Sequence, residues 1–162
     1  MGFAPASNHD VTAVNRLEGG KARAVQVLSA GAANPSVTGG RMSYQSINFA
    51  HKFGLFTEQW KPKVIAEMNE YQFKIVKLKG DFVWHDHKET DETFIVIEGD
   101  LRIDFRDGAV HVASGELFVV PKGVEHKPFA EKEVKLLLIE PRGVVNTGDH
   151  GGDRTAQNDV WI

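Results

Sequence analysis

No cysteine occurs in the 162 residues. Disulfide frameworks and thiolate metal sites are thereby excluded, and any metal must be held by His, Asp or Glu. Positive charge is not in excess either: 19 Lys and Arg stand against 22 Asp and Glu, a net charge of -3. Nothing forms a basic stripe of the kind that neutralises phosphates, so nucleic acid is not an expected partner. Apolar runs stay well short of the roughly 18 residues that a membrane span requires. The opening "MGFAPASNHD" has no basic segment leading into an apolar one, so the expectation is a cytoplasmic protein without a membrane partner. Gly2 would suit myristoylation only with Ser or Thr at position 6, where Ala6 stands.

What remains is ordinary globular composition, 41% hydrophobic and 25% charged, in a length suited to one core. Residues 1–45 are rich in Ala, Gly, Ser, Asn and Thr. They read as a flexible, poorly ordered arm in which only "AVQVL", Ala24 to Leu28, resembles a strand. Residues 46–61 are a lead-in, with a short helix capped by Ser46 and ended by Pro62.

Residues 62–141 change character. Strand-like segments alternate with turn signals every eight to twelve residues or so, the rhythm of a sandwich or barrel, and no segment sustains a helical period. "KVIAEM" and "YQFKIVKLK" flank Asn69-Glu70 as a hairpin. In "LRIDFR", Leu101, Ile103 and Phe105 alternate with Arg102, Asp104 and Arg106, so one face is buried and the arginines point outward. Asp107-Gly108 then reads as a type I′ turn, with both residues at positive φ, leading into "AVHV". "ELFVVP" and "VKLLLIEP" complete an all-β core. The tail, residues 142–162, is polar and Gly-rich until Val160-Trp161-Ile162, an apolar end expected to dock on its own barrel or on a neighbouring subunit.

The chemistry concentrates in "WHDHKETDE", from Trp84 to Glu92. His85 and His87 share a strand face by the period of two, while Trp84 and Asp86 face the other way. Glu92 begins the next strand on the face of Phe94 and Val96. If that face is interior, its carboxylate must be paired or bound to a cation. A lone His-x-His is equally at home in a charged turn in water. The distant "PKGVEH" adds His126 at the end of another apolar strand, and His85, His87, Glu92 and His126 together make a three-nitrogen, one-oxygen set. Such a set suits one divalent first-row metal, iron, manganese, nickel, cobalt or zinc, with a position open to a small-molecule substrate or ligand. Glu89 and Asp91 fall in the connecting turn, and His9, His51 and His150 in loops. His111 sits between Val110 and Val112 on the opposite face from them. Phe73, Phe94 and Phe118 read as inward-facing core.

"GDFVWHDHKETDETFIVIEG" (Gly80 to Gly99) followed by "GELFVVPKGVEHKPFA" (Gly115 to Ala130) resembles the two motifs of a small single-domain cupin, in order and with a plausible separation. Two positions depart from the pattern: four residues rather than five separate Gly80 from His85, and Ala130 stands where an Asn is common. The resemblance implies a jelly-roll β-barrel with the metal inside, near one mouth, and carries the ligand positions onto His85, His87, Glu92 and His126. Dimers are common among small cupins, and a homodimer is expected here.

Two functional classes follow. The first is a metal-dependent enzyme on a small organic substrate, with oxygenase-type (oxidoreductase) or isomerase/lyase-type chemistry. The second is a non-catalytic module that binds a small ligand or the metal itself. Arg102 and Arg106 point away from the interior, which weighs against a phosphosugar isomerase. No catalytic residue beyond the ligand set is assigned from sequence.

Overall fold

The computed structural model describes residues 44–162 in full and, among residues 1–43, only the backbone of four strands. The chain divides into two compact units, Met1–Ser46 and Ile47–Ile162. In the first, β1 (Thr12–Glu18) pairs antiparallel with β2 (Lys21–Val27), and β3 (Ser36–Thr38) with β4 (Arg41–Ser43). One strand was expected there, from Ala24 to Leu28; the backbone forms four, because pairing stabilises segments whose composition alone reads as linker. The expected flexibility of the arm falls largely on residues outside those described.

The second unit opens with α1 (Phe49–Phe53), which corrects the expected helix at both ends. Asn48, not Ser46, is the N-cap: its extended backbone leaves the side-chain oxygen free to accept from the His51 amide at 2.9 Å. The helix stops at Gly54, well before Pro62, where the Gly54 amide donates back to Ala50 and His51. His51, expected in a loop, therefore lies in a helix.

Seven antiparallel strands follow: β5 (Lys63–Met68), β6 (Tyr71–Asp81), β7 (Glu92–Glu98), β8 (Asp100–Phe105), β9 (Gly108–Ala113), β10 (Leu117–Val120) and β11 (His126–Pro141). Their order is β10-β7-β11-β6-β5, with β8 joining β11 to β9. This is the all-β jelly-roll barrel that the sequence implies. The β5–β6 hairpin turns at Asn69-Glu70, with Asn69 at φ 55°, a backbone region that Asn tolerates well. The β8–β9 hairpin also forms, but not through the expected turn. Phe105 pairs with Gly108, so the loop is Arg106-Asp107, and neither Asp107 nor Gly108 has positive φ. The register moved Gly108 out of the turn and into the strand.

β11 spans 16 residues and carries a register shift between Ala130 and Val134. Its first half pairs with β8 and its second with β7, so one strand covers both halves of the barrel. The interior holds Val76, Leu78, Phe94, Val96, Leu101, Ile103, Leu136 and Leu138, while Phe118 packs against it half-buried. Phe73 departs from expectation: it belongs to a second cluster, in which Phe53 and Phe56 pack with Ile65, Ile75 and Leu137 on the outer face of the sheet. The parity of β6 requires this, since Phe73 shares a face with Ile75 and not with Val76.

The apolar tail end docks in cis. Val64 donates to the Val160 carbonyl at 2.7 Å and Ile162 donates to the Val64 carbonyl, while Lys52 Nζ donates to the Ile162 backbone oxygen. Leu136 is fully buried at the centre of the interior cluster. Leu136→Ala is expected to lower unfolding free energy by ~2–5 kcal/mol, read as a shift in the denaturant midpoint at unchanged slope; a loss below about 1 kcal/mol would contradict this packing.

Candidate metal centre

Two backbone hydrogen bonds build the site. His85 and His126 form an antiparallel bridge, His85 N to His126 O at 3.0 Å and His126 N to His85 O at 2.9 Å. This sets their imidazoles side by side, with ring centres 4.3 Å apart. The loops that carry them are tied together as well: Gly123 N donates to His87 O at 2.8 Å, and Lys122 N to Asp91 Oδ1 at 2.8 Å. Gly123 has φ 73°, which the Pro121–Val124 turn needs and a side chain would strain.

All four sequence-predicted ligands come together, and all are buried: His85 1%, His126 1%, Glu92 4% and His87 6% exposed. Glu92 Oε2 lies 3.1 Å from His126 Nε2, 3.2 Å from His87 Nε2 and 3.9 Å from His85 Nε2. The ligand atoms of His85, Glu92 and His126 all lie within 4.8 Å of one another, a group that could hold a metal ion; His87 is not part of that tightest group. His85 Nδ1 sits 3.0 Å from Val83 O, and His126 Nδ1 3.0 Å from Val124 O. A ring whose Nδ1–H donates to a carbonyl presents the Nε2 lone pair inward, as a metal ligand must. His87 Nε2 is buried and has no hydrogen-bond partner, although it lies 3.2 Å from Glu92 Oε2. An orphaned imidazole nitrogen aimed at a carboxylate is what a metal site looks like without its ion, so the donor set fits a divalent cation.

The electrostatics agree. Burial pulls His85 down to about 4. Burial also pulls on His87, but the Glu92 carboxylate outweighs it and raises that ring above its ordinary value. Burial would raise Glu92, yet His126 and His87 hold it well below the usual carboxylate range.

The outer residues fall where parity places them. Asp86 faces away and meets His150 at 2.8 Å, and Glu89 is exposed in the loop. Trp84 lies outside the pocket beneath the Arg106 guanidinium, 3.8 Å from the ring centre. Arg106 pairs with Glu125, and Arg102 with Asp104. His111 is exposed on β9 beside buried Val112. His9 lies outside the described residues.

Three features were missed in the sequence reading. The first is a buried ion pair, Lys74 Nζ to Glu140 Oε1 at 2.8 Å, with side chains 3% and 2% exposed. Its signal was available: Lys74 shares parity with Val76 and Leu78, and Glu140 with Leu136 and Leu138. Ile139 pairs with Thr93, so one further step of that register sets Glu140 beside Glu92. The second is Trp60, whose indole stacks on Phe82 at 4.7 Å, while Phe82 meets His85 edge-on at 5.2 Å. The third is the tail. Asp149 N approaches Asp86 O at 3.4 Å, and a Cβ on Gly148 would lie 1.9 Å from that same oxygen. Nothing local in "WKP" or "NTGDH" announces either contact.

Burial and the Glu92 charge push Glu140 up to about 7, against the pull of Lys74. Folded chains therefore hold this proton to about pH 7 and unfolded chains only to about 4.5, so this group's contribution to stability falls as pH rises between the two. His85 acts in the opposite sense, since its unfolded form takes up a proton below 6.5 and its folded form only below about 4. Glu140→Gln should remove the first slope alone. In thermal melts of metal-free protein from about pH 4.5 to 7.5, the variant should keep the Lys74 contact through its amide oxygen, because glutamine stands in for the protonated carboxyl. Its stability should also climb more steeply with pH than that of the unaltered chain; parallel curves would refute the assignment.

Comparison with known proteins agrees with this geometry. A family model described as "Cupin domain" matches residues 74–140. An uncharacterized protein, YdbB of Bacillus subtilis, is 38% identical over 77 residues, covering 47% of this chain and 68% of that protein. Among solved structures, a cupin-2 domain containing protein from Shewanella frigidimarina is 60% identical with a TM-score of 0.59, over 59% of this chain and 94% of that one. Protein NMB1881 from Neisseria meningitidis is 39% identical with a TM-score of 0.56, over 60% and 99%. With the barrel, both histidine motifs and these relatives in agreement, the chain belongs to the cupin family.

Proposed function

We propose that this cupin is a metal-dependent enzyme acting on a small organic substrate at one divalent first-row ion held by His85, His87, Glu92 and His126. The observation that carries the reading is the convergence of three imidazole Nε2 atoms on Glu92 Oε2 inside an apolar barrel, with His87 Nε2 lacking any other partner. A bound ion of this kind supplies Lewis acidity toward an oxygen of the substrate and, if iron or manganese, a redox centre. The chain's own residues do the rest. Val83 and Val124 carbonyls hold two rings in the metal-ready tautomer, and Glu92 offsets part of the ion's charge. Walls of Phe82, Phe94 and Leu138 exclude bulk water.

Arg102 and Arg106 are engaged by Asp104 and Glu125 and line no part of the cavity. This supports a substrate without a phosphate, and oxygenase-type chemistry over a phosphosugar isomerase.

Protein purified without added metal is expected to carry about one first-row ion per chain. His126→Ala, folded by circular dichroism, should retain less than about a tenth of it by elemental analysis. Equal metal in both would sink the assignment, and oxygen uptake with small organic acids then tests the oxygenase reading on the iron form.

We also propose self-association. Edge strand β10 presents Leu117 and Val119 at 60% and 42% exposure, the kind of edge that a second chain covers. Light scattering at micromolar concentration should return the dimer mass, and a monomer would count against it.

A further inference from the structure

Beside the metal centre lies a cavity of about 30 Å³, room for two or three waters. His85 and Glu92 belong to its lining, and the other walls are largely apolar, among them Trp60, Val76, Phe82, Phe94, Leu136 and Leu138. Among the described residues, no Lys or Arg lines it. Asn146 is the remaining polar wall residue, and its hydrogen bonds are spent: its amide donates to Trp60 O and Arg154 O, and its oxygen accepts from Ala156 N.

Trp60 is held in this wall from every side. Its amide donates to Lys77 O at 2.8 Å, its indole Nε1 to Lys79 O at 3.0 Å, and its ring stacks on Phe82 with planes 16° apart. Its backbone sits at φ 62°, a left-handed conformation that a bulky side chain adopts only when its surroundings impose it. That strain is maintained at a residue whose indole lines the cavity and stacks on Phe82, the ring that meets His85 edge-on.

Charge defines the other end of the occupant. A divalent ion with one carboxylate and neutral imidazoles leaves one net positive charge in an apolar chamber, which a monoanion neutralises and a dianion overshoots. We propose that the ligand of this site is a short monocarboxylate with an apolar body, its oxygen end toward the His85–Glu92 cluster and its carbon chain against the Trp60–Phe82 stack, and that Trp60 sets the chain length accepted. This rests on the metal reading above.

The test uses the full chain loaded with Co²⁺, its cobalt content measured by elemental analysis. Acetate, propionate, butyrate and hexanoate are titrated in, with succinate and glucuronate as polar counterparts. Binding is read from the cobalt visible spectrum and from tryptophan fluorescence. Propionate or butyrate should bind tightest to the unaltered protein. In Trp60→Leu the ratio of hexanoate to propionate affinity should rise at least about tenfold, since each added methylene gains a buried place, whereas Trp60→Phe keeps the original order. Phe82→Leu, on the other side of the stack, carries the same expectation should Trp60→Leu fail to fold. An unchanged chain-length order in folded Trp60→Leu or Phe82→Leu, or tighter binding of succinate or glucuronate than of butyrate, overturns the proposal. Cobalt bound without any carboxylate response overturns it while leaving the metal reading intact; no cobalt uptake overturns both.

Discussion

A carboxylate buried in an apolar barrel is the constraint around which this molecule is organised. Glu92 is 4% exposed among Phe94, Val96 and Leu138, and an ionised group there costs several kcal/mol unless compensated. Compensation comes from three imidazoles drawn from two distant parts of the chain. The His85–His126 backbone bridge makes that possible, because it aligns the strand before Glu92 with the start of β11. The carbonyls of Val83 and Val124 then turn both rings so that their free nitrogens face the carboxylate. Without this convergence, the interior position of Glu92 would have no physical justification.

A second buried charge pair depends on the first. Lys74 lies on β6 and Glu140 on β11, both facing the interior in continuity with the apolar rows of those strands. Lys74 Nζ also donates to Val144 O and to Asn158 Oδ1, so its three hydrogens are used on the barrel and the tail together. Glu140, beside the negative charge of Glu92, is the less comfortable partner and keeps its proton to higher pH. Buried pairs of this kind contribute little net stability, but they fix which segments meet. Here they hold the tail against the wall of the barrel next to the site.

The barrel and the convergence of His85, His87, Glu92 and His126 were largely legible in the residues. Strand alternation in "LRIDF" and the period of two that sets Glu92 with Phe94 and Val96 gave the interior face, and His-x-His parity separated His85 and His87 from Asp86. The misread details share one cause. The Asp107-Gly108 turn, the Ser46 cap and the inward reading of Phe73 were local inferences that neighbouring elements overrode: the β8–β9 register took up Gly108, Asn48 offered the better cap geometry, and the helix-covered outer face claimed Phe73.

By itself the sequence determined the period of the strands, the face that His85, His87 and Glu92 occupy and the chemical type of this cluster, because these follow from side-chain identity and an alternation of two. Only the tertiary structure decided what surrounds that set. Trp60 reaches the cavity beside the parallel bridge of Gln59 with Lys77 on β6, and the tail reaches Asp86 through Gly148, whose missing Cβ allows an approach that any side chain would block. Contacts of this sort join residues far apart in the chain, and no local pattern encodes them. Their energy is realised only when the barrel has closed.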